Sequence, residues 1–328
     1  MPADVLDRFL ITLAVRLHAF AVCKIQQGWR LVFDAMDAIT IHYVLAGSGT
    51  VRIGTKASVP FSPQNIIIVP ARTSQSLGEA VSVIGEARAD DRCTLLDGGL
   101  VQFTAGDGCR DTLIVCGTIS AAYGGALGLF EYLLEPLVED VSTSNIIRHA
   151  FESMLAEIGE PGIGTQAMAE ALMKQCLILV LRQHLTRQSS ASPLFAALQD
   201  PRLARAVSSI LETPAGPHTV ESLALQAGMS RSSFAEHFSQ VFDQSPIEFV
   251  QRVRLRLGAH LLTTTDLPIK IIASSVGYES RSYFSRAFRA AYGSDPKTYR
   301  AVGGFAEEEE PKPIEQPGPI DRIIRDND

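Results

Sequence analysis

Residues 280–289 have the sequence Ser-Arg-Ser-Tyr-Phe-Ser-Arg-Ala-Phe-Arg, and residues 230–238 have Ser-Arg-Ser-Ser-Phe-Ala-Glu-His-Phe. The two stretches share the opening Ser-Arg-Ser and two phenylalanines at matching places. The match continues to Pro246 and Pro296, so the segment repeats at an offset of 50 residues. A repeat of this length indicates that one supersecondary unit occurs twice.

Each copy has the pattern of a helix-turn-helix. Thr219 is predicted to cap a short helix, and Gly228-Met229-Ser230 to form a tight turn whose serine caps the next helix. The second helix of such a unit enters the DNA major groove by its N-terminal residues. Its inward face is predicted to consist of Phe234, Phe238 and Val241.

A long helix is predicted to connect the two copies. It begins at Pro246, ends at about Thr264, and spans roughly 28 Å at 1.5 Å per residue. Successive major grooves on one face of DNA lie about 34 Å apart. The connector therefore suits two reading heads in adjacent grooves. Its arginines face phosphate, solvate the helix or pair with Glu248; they are Arg252, Arg254 and Arg256.

The net charge of −7 is unevenly distributed along the chain. Residues 199–301 carry 12 basic and 9 acidic residues, whereas residues 302–328 carry 3 basic and 8 acidic ones. A basic segment within an acidic chain is typical of a phosphate-facing module. The acidic run Glu307–Glu310 and the prolines after it predict a disordered tail over 302–328.

The rest of the chain predicts an α+β protein. Short β-branched runs separated by turns predict a β-barrel or sandwich between residues 29 and 117. From about Ala126 to Gln188 the pattern is helical, and the polar residues 189–198 are predicted to be a linker. The predicted strands are Trp29–Phe33, Ile39–Leu45, Thr50–Ile53 and Asn65–Val69.

One apolar stripe in the helical stretch has two interpretations. Periodicity alone does not distinguish a dimer seam from a face packed on the barrel. The residues are Leu172, Met173, Cys176, Leu179 and Val180.

The C-terminal segment resembles the AraC/XylS family over about Arg202 to Ala301. The residues that carry the resemblance are 280–289, Tyr292-Gly293, Pro296, Tyr299-Arg300, and Ile269, Ile272, Ala273, Val276, Gly277 and Tyr278 before them. The resemblance implies an all-α, seven-helix double helix-turn-helix domain at 199–301. The expected DNA-contacting residues are Arg231, Ser232, Ser233, Arg281, Ser282, Ser285, Arg286 and Arg289. The first recognition helix departs from the family at Ala235 and Glu236.

The N-terminal segment resembles the cupin-type sensor domain found in part of this family. The residues that carry this resemblance are 41–49 and 66–70. It implies that residues 1–188 sense an effector and form a dimer. The implied partners are double-stranded promoter DNA, a small-molecule effector, RNA polymerase and a second copy of the chain, and an activator is expected rather than a repressor.

His42 lies where cupin enzymes place their first metal histidine. A metal site needs several converging ligands, whereas position 44 is valine and no second histidine or glutamate has suitable spacing. A hydrogen-bonded barrel histidine is therefore preferred, with no metal, cofactor or catalytic residue expected. A metal-dependent cupin enzyme fused to a DNA-binding domain is the alternative, and an architectural DNA binder without a sensor is a second rival.

Arg88 and Arg92 form an RxxxR pair that resembles the arginine motif of cyclic di-GMP receptors, although the companion (D/N)xSxxG pattern is missing. Paired guanidinium groups can clamp phosphate. The candidate effector-binding residues are therefore His42, Arg72, Arg88 and Arg92.

The five cysteines form no CxxC pair and are predicted to be reduced thiols in the cytoplasm. No apolar run reaches 18 residues, so no membrane span is predicted.

Overall fold

A computed structural model of the protein describes residues 10–302, except 12, 37, 55–57, 97–99, 109–110, 124–126, 129, 131–132, 134–135, 187–196 and 198–199. The chain divides into two compact units, with the division between Ala204 and Arg205. The predicted linker at 189–198 and acidic tail at 302–328 fall almost entirely outside the described residues. None of the helices in the described part has the length and hydropathy of a membrane span.

The N-terminal unit is built from two β-sheets, as the cupin-like expectation requires. The strands are β1 (Leu13–Ile25), β2 (Trp29–Phe33), β3 (Ile39–Ala46), β4 (Gly49–Ile53), β5 (Val59–Phe61), β6 (Asn65–Val69), β7 (Gln75–Gly78), β8 (Gly85–Arg88), β9 (Cys93–Leu95), β10 (Val101–Ala105), β11 (Thr112–Tyr123), β12 (Leu127–Gly128) and β13 (Leu137–Asp140). One sheet has the order β13-β6-β3-β11-β1-β10-β9, with β12 on β11, and the other has the order β5-β4-β7-β2-β8.

Apolar side chains from both sheets fill the space between them, including Leu31, Val51, Ile67 and Ile114. Arg30, which precedes Leu31 on β2, is also completely buried. Its guanidinium donates to Ser76 Oγ at 3.1 Å and Ser76 O at 2.7 Å, and to the oxygens of Thr50. These bonds join β2, β4 and β7, which offsets part of the cost of burying the charge.

The expectation of helix throughout 126–188 is wrong at its start. β13 occupies Leu137–Asp140 and pairs antiparallel with β6. Two α-helices follow it: α1 (Asn145–Gly159) and α2 (Thr165–Thr186). Met173, Cys176 and Val180 of the apolar stripe are completely buried within the chain. This burial agrees with the packing interpretation for these three residues, whereas Leu172 and Leu179 are half-buried.

The C-terminal unit has seven helices within the described residues. They are α3 (Pro201–Glu212), α4 (Val220–Ala227), α5 (Arg231–Phe242), α6 (Pro246–Thr264), α7 (Ile269–Ser275), α8 (Arg281–Tyr292) and α9 (Pro296–Ala301). Thr219 caps α4 by accepting from Ser222 N, and Ser230 caps α5 by accepting from Ser233 N. The predicted caps and the predicted bounds of the connector α6 are therefore confirmed.

The repeat predicted from the sequence is visible in the packing of the aromatic side chains. Phe238 stacks on Phe242 with ring centroids 4.5 Å apart, and Phe288 stacks on Tyr292 at the same 4.5 Å. Edge contacts also match, at 5.4 Å for Phe238–Phe249 and 5.1 Å for Phe288–Tyr299. Phe242, rather than the predicted Val241, therefore continues the buried face of α5, because it lies four residues after Phe238.

Candidate nucleic-acid interface

Two short turns position α5 and α8, the second helix of each repeat. Gly228 ends α4 with φ of +68°, a left-handed conformation that glycine adopts without strain. Ser280 caps α8 by accepting from Tyr283 N at 3.2 Å. The buried phenylalanines hold one face of each helix inward. The first turns of both helices are consequently exposed.

The structure brings the predicted residues of α8 onto one surface. Arg281, Ser282, Arg286 and Arg289 are exposed and Ser285 is half-buried. Within the described residues, neither Arg281 nor Arg286 forms an ion pair. Sequence reasoning missed Tyr283, which is 48% exposed beside them. The sequence feature that could have identified it is an aromatic residue in the otherwise polar first turn of α8.

The surface of α5 has a different charge. Arg231, Ser232 and Ser233 are all exposed, but Arg231 Nε lies 2.9 Å from Glu221 Oε1 on α4. Glu221 was not singled out from the sequence. The exposed Glu236 also lies on α5, 3.5 Å from Gln240 Nε2. The positive charge of Arg231 is therefore opposed by the carboxylate of Glu221, and Glu236 adds a second negative charge to α5.

The internal repeat makes the two surfaces directly comparable. At the offset of 50 residues, Ile271 occupies the position of Glu221, and Arg286 occupies the position of Glu236. Arg281 thus has no counterpart of the carboxylate that holds Arg231. The second helix-turn-helix copy, which contains α8, therefore presents more positive charge to a phosphate backbone than the first copy does.

Several other arginines of this unit bind backbone carbonyls. Arg254 on the connector donates to Pro214 O at 2.8 Å and Gly216 O at 2.7 Å. Burial lowers the pKa of its guanidinium. Arg205 likewise donates to Gln226 O and Ala227 O, and Arg300 to Leu262 O and Leu267 O. Of the three connector arginines considered for phosphate contact, Arg254 is therefore engaged in holding the unit together.

His42 lies inside the barrel. Its Nε2 is 2.9 Å from Gln75 Oε1, its Nδ1 is 3.1 Å from Cys116 Sγ, and Gln75 Nε2 donates to Thr40 Oγ1 at 2.8 Å. Burial lowers the pKa of His42 to about 4, so the ring is neutral at neutral pH. Among the residues that the structure describes, no three histidine, cysteine or acidic side chains are placed to hold a metal ion.

The other candidate effector residues lie apart from His42. Arg72, Arg88 and Arg92 are exposed. Arg88 forms an ion pair with Asp34, and Arg92 Nη1 lies 3.2 Å from Asp107 Oδ1. The structure therefore does not bring the four residues into one site.

The cysteine expectation is wrong for one pair. Cys23 on β1 and Cys116 on β11 form a disulfide in the core of the barrel. Cys93 is free and exposed, and Cys176 is free and buried. The sequence could not show this pairing, because 93 residues separate the two cysteines and only the sheet register makes them neighbours.

Comparison with known proteins covers both units. A helix-turn-helix domain model matches residues 223–301, and a cupin model matches residues 4–186. The HTH-type transcriptional regulator AlkR of Acinetobacter baylyi is 29% identical, over 90% of this chain and 99% of its own length. The RCS-specific HTH-type transcriptional activator RclR of Escherichia coli is 26% identical, over 90% of this chain and 97% of its own length.

Among solved structures, the DNA-binding domain of AdpA, a global transcriptional factor in complex with a target DNA, is 32% identical. The match covers 31% of this chain and 92% of that domain, with a TM-score of 0.30.

Proposed function

We propose that this chain regulates transcription in response to an effector. The premise is that it belongs to the AraC-type helix-turn-helix transcription regulators with an N-terminal cupin domain. In this proposal α5 and α8 enter successive major grooves of promoter DNA. The observation that carries it is the pair of capped helices with polar, exposed first turns, joined by the 19-residue α6.

The two helices are proposed to contribute unequally to recognition. Arg281 is exposed in the first turn of α8, where a guanidinium can bond guanine O6 and N7 together. Arg286 and Arg289 lie further along the same helix and suit phosphate contacts. Arg231 has to leave Glu221 before it can bind DNA. We therefore assign most of the sequence discrimination to α8.

The barrel is proposed to be the sensor, and the protein an activator that engages RNA polymerase as a homodimer in the cytoplasm. A small molecule inside the barrel would meet the buried polar group formed by His42, Gln75 and Thr40. A cyclic dinucleotide would instead have to displace the carboxylates that pair with Arg88 and Arg92. We accordingly favour the interior of the barrel over these exposed arginines.

An enzymatic role is the rival proposal. The relatives in the comparison are named as transcriptional regulators, which supports a regulator without catalysis. Both nitrogens of the His42 ring already have protein neighbours within 3.1 Å. Metal analysis of the purified full chain tests the rival: one transition metal per chain, lost on His42→Ala, would favour the enzyme.

In vitro selection from random duplexes with the full chain tests the main proposal. We expect an enriched site with two half-sites about 10 base pairs apart, because adjacent grooves recur once per helical turn. Arg281→Ala should lose the selected sequence preference. Arg202→Ala, which removes an exposed arginine that pairs with Asp200 at the start of α3, should retain it. Enrichment of no site, or of the same site by both variants, contradicts the proposal.

A further inference from the structure

The disulfide of the N-terminal unit joins its two longest strands. Cys116 pairs in register with Ala21, and Cys23 pairs with Ile114, so the two cysteines are diagonal neighbours across β1 and β11. Cys23 is completely buried and Cys116 is 6% exposed. Cys116 is therefore the more accessible of the two cysteines.

His42 provides a hydrogen-bond acceptor for a thiol at Cys116. Gln75 Nε2 donates to Thr40, so Gln75 Oε1 faces His42 Nε2 and accepts a hydrogen bond from its N–H. The lone pair of the neutral ring is then on Nδ1, 3.1 Å from Cys116 Sγ. When the pair is reduced, this nitrogen can accept a hydrogen bond from the Cys116 thiol and orient its sulfur.

β1, the strand that contains Cys23, is also hydrogen-bonded to α2. Gln166 Nε2 donates to Leu17 O at 2.7 Å, and Leu17 N donates to Glu170 Oε1 at 3.4 Å. The register between β1 and β11 shifts between Leu17 and Ala19, between this contact and Cys23. α2 continues to Thr186, from which the chain leads to the DNA-binding unit. A disulfide between β1 and β11 therefore constrains β1, the strand to which α2 is hydrogen-bonded.

From these contacts, and resting on the function proposed above, we propose that Cys23 and Cys116 form a thiol–disulfide switch that sets DNA affinity, with His42 as a positioning residue. Disulfides in a reducing cytosol, the compartment proposed above, are usually transient and either catalytic or redox-sensing. The oxidant class is a small two-electron oxidant, for which hydrogen peroxide is the probe.

The oxidation is balanced with the groups present. The Cys116 thiol donates a hydrogen bond to His42 Nδ1, and its sulfur attacks one peroxide oxygen. The O–O bond breaks as the thiol proton moves to the departing oxygen, so a sulfenic acid and water form. Cys23 sulfur then attacks the Cys116 sulfur, and the second oxygen leaves as water with the Cys23 and sulfenic hydrogens. A low-molecular-weight thiol reverses the step by exchange.

The test uses the full chain, reduced and then oxidised with hydrogen peroxide. Mass spectrometry of alkylated peptides follows the Cys23–Cys116 pair, and fluorescence anisotropy follows binding to the selected duplex. We expect the affinities of the two states to differ at least fivefold. Cys23→Ser and Cys116→Ser should lose this difference, whereas Cys93→Ser, which removes the exposed free thiol, should retain it. His42→Gln should slow disulfide formation without changing the affinity of the fully oxidised state.

The switch is overturned if the cysteine pair interconverts but the two states bind DNA with equal affinity. It is also overturned if a reductant does not open the disulfide in the folded chain. If a cysteine variant does not fold, the reduced and oxidised wild-type chain still decides between these outcomes. Failure to bind DNA in either state contradicts the proposed function itself. Hydrogen exchange in residues 165–186 then tests the switch independently: we expect slower exchange in the oxidised chain, and unchanged exchange overturns the proposal.

Discussion

Arg281→Ala tests whether α8 dominates recognition. The residue lies in the first turn of α8, is exposed, and has Ile271 at the repeat position where Arg231 has Glu221. An arginine that bonds one guanine through both O6 and N7 contributes about 1–3 kcal/mol of discrimination. This corresponds to roughly 5- to 150-fold in affinity between the selected site and a scrambled duplex. We expect Arg281→Ala to lose discrimination within that range.

Arg231→Ala is the matched change in the first unit and should cost less. Its guanidinium already bonds Glu221 at 2.9 Å, and DNA binding has to break that contact. Glu221→Gln frees Arg231, so it should tighten binding and increase the effect of Arg231→Ala. Arg286→Ala and Arg289→Ala should weaken both duplexes alike. Each should reduce the slope of log affinity against log salt by about 0.9, because a phosphate contact releases counterions.

Fluorescence anisotropy at two salt concentrations, with the selected and scrambled duplexes, separates base reading from phosphate contact. Arg202→Ala removes the same charge from α3 rather than from α5 or α8 and serves as the control. A larger loss of discrimination for Arg231→Ala than for Arg281→Ala would refute the assignment of the dominant helix.

Gly258→Ala should destabilise the DNA-binding unit by about 1–2 kcal/mol, because the added Cβ would lie 2.8 Å from the Phe284 ring. The higher helix propensity of alanine offsets this strain only in part. The melting temperature should fall by at least about 4 °C, whereas Gly159→Ala, which has open space, should not lower it. Arg254→Ala should lower stability by about 1–3 kcal/mol, since two carbonyls lose their donor, and a reduced salt slope of DNA binding would instead show a phosphate contact. The folded-state pKa of His42, about 4, lies below its ordinary value of 6.5, so the unfolded chain binds more protons between these values. The barrel should therefore lose about 3 kcal/mol as pH falls from 6.5 to 4, as followed by urea unfolding, and His42→Gln should remove that part of the pH dependence; an unchanged profile in the variant contradicts it.

Local signals specified the helical unit well, because its caps, turns and aromatic spacing lie within a few residues of one another. Thr219 and Ser230 cap the helices predicted for them, and α6 has the predicted bounds. The strands of the barrel were harder to predict from the sequence. The long β1 was not predicted, since the irregularity between Leu17 and Ala19 interrupts its alternation. β13 has only four residues, too few to show a strand period.

The sequence by itself determined that two helix-turn-helix units occur and which residues begin their second helices, because a repeat and its caps are local patterns. Tertiary structure alone decided what individual side chains do. Arg254 and Arg281 are the same residue type, but one bonds carbonyls of another segment and the other is exposed. Glu221 opposes Arg231 across two helices, and Cys23 meets Cys116 only through the register of β1 and β11. Such contacts join residues distant in sequence, and chain folding rather than local propensity sets their distances.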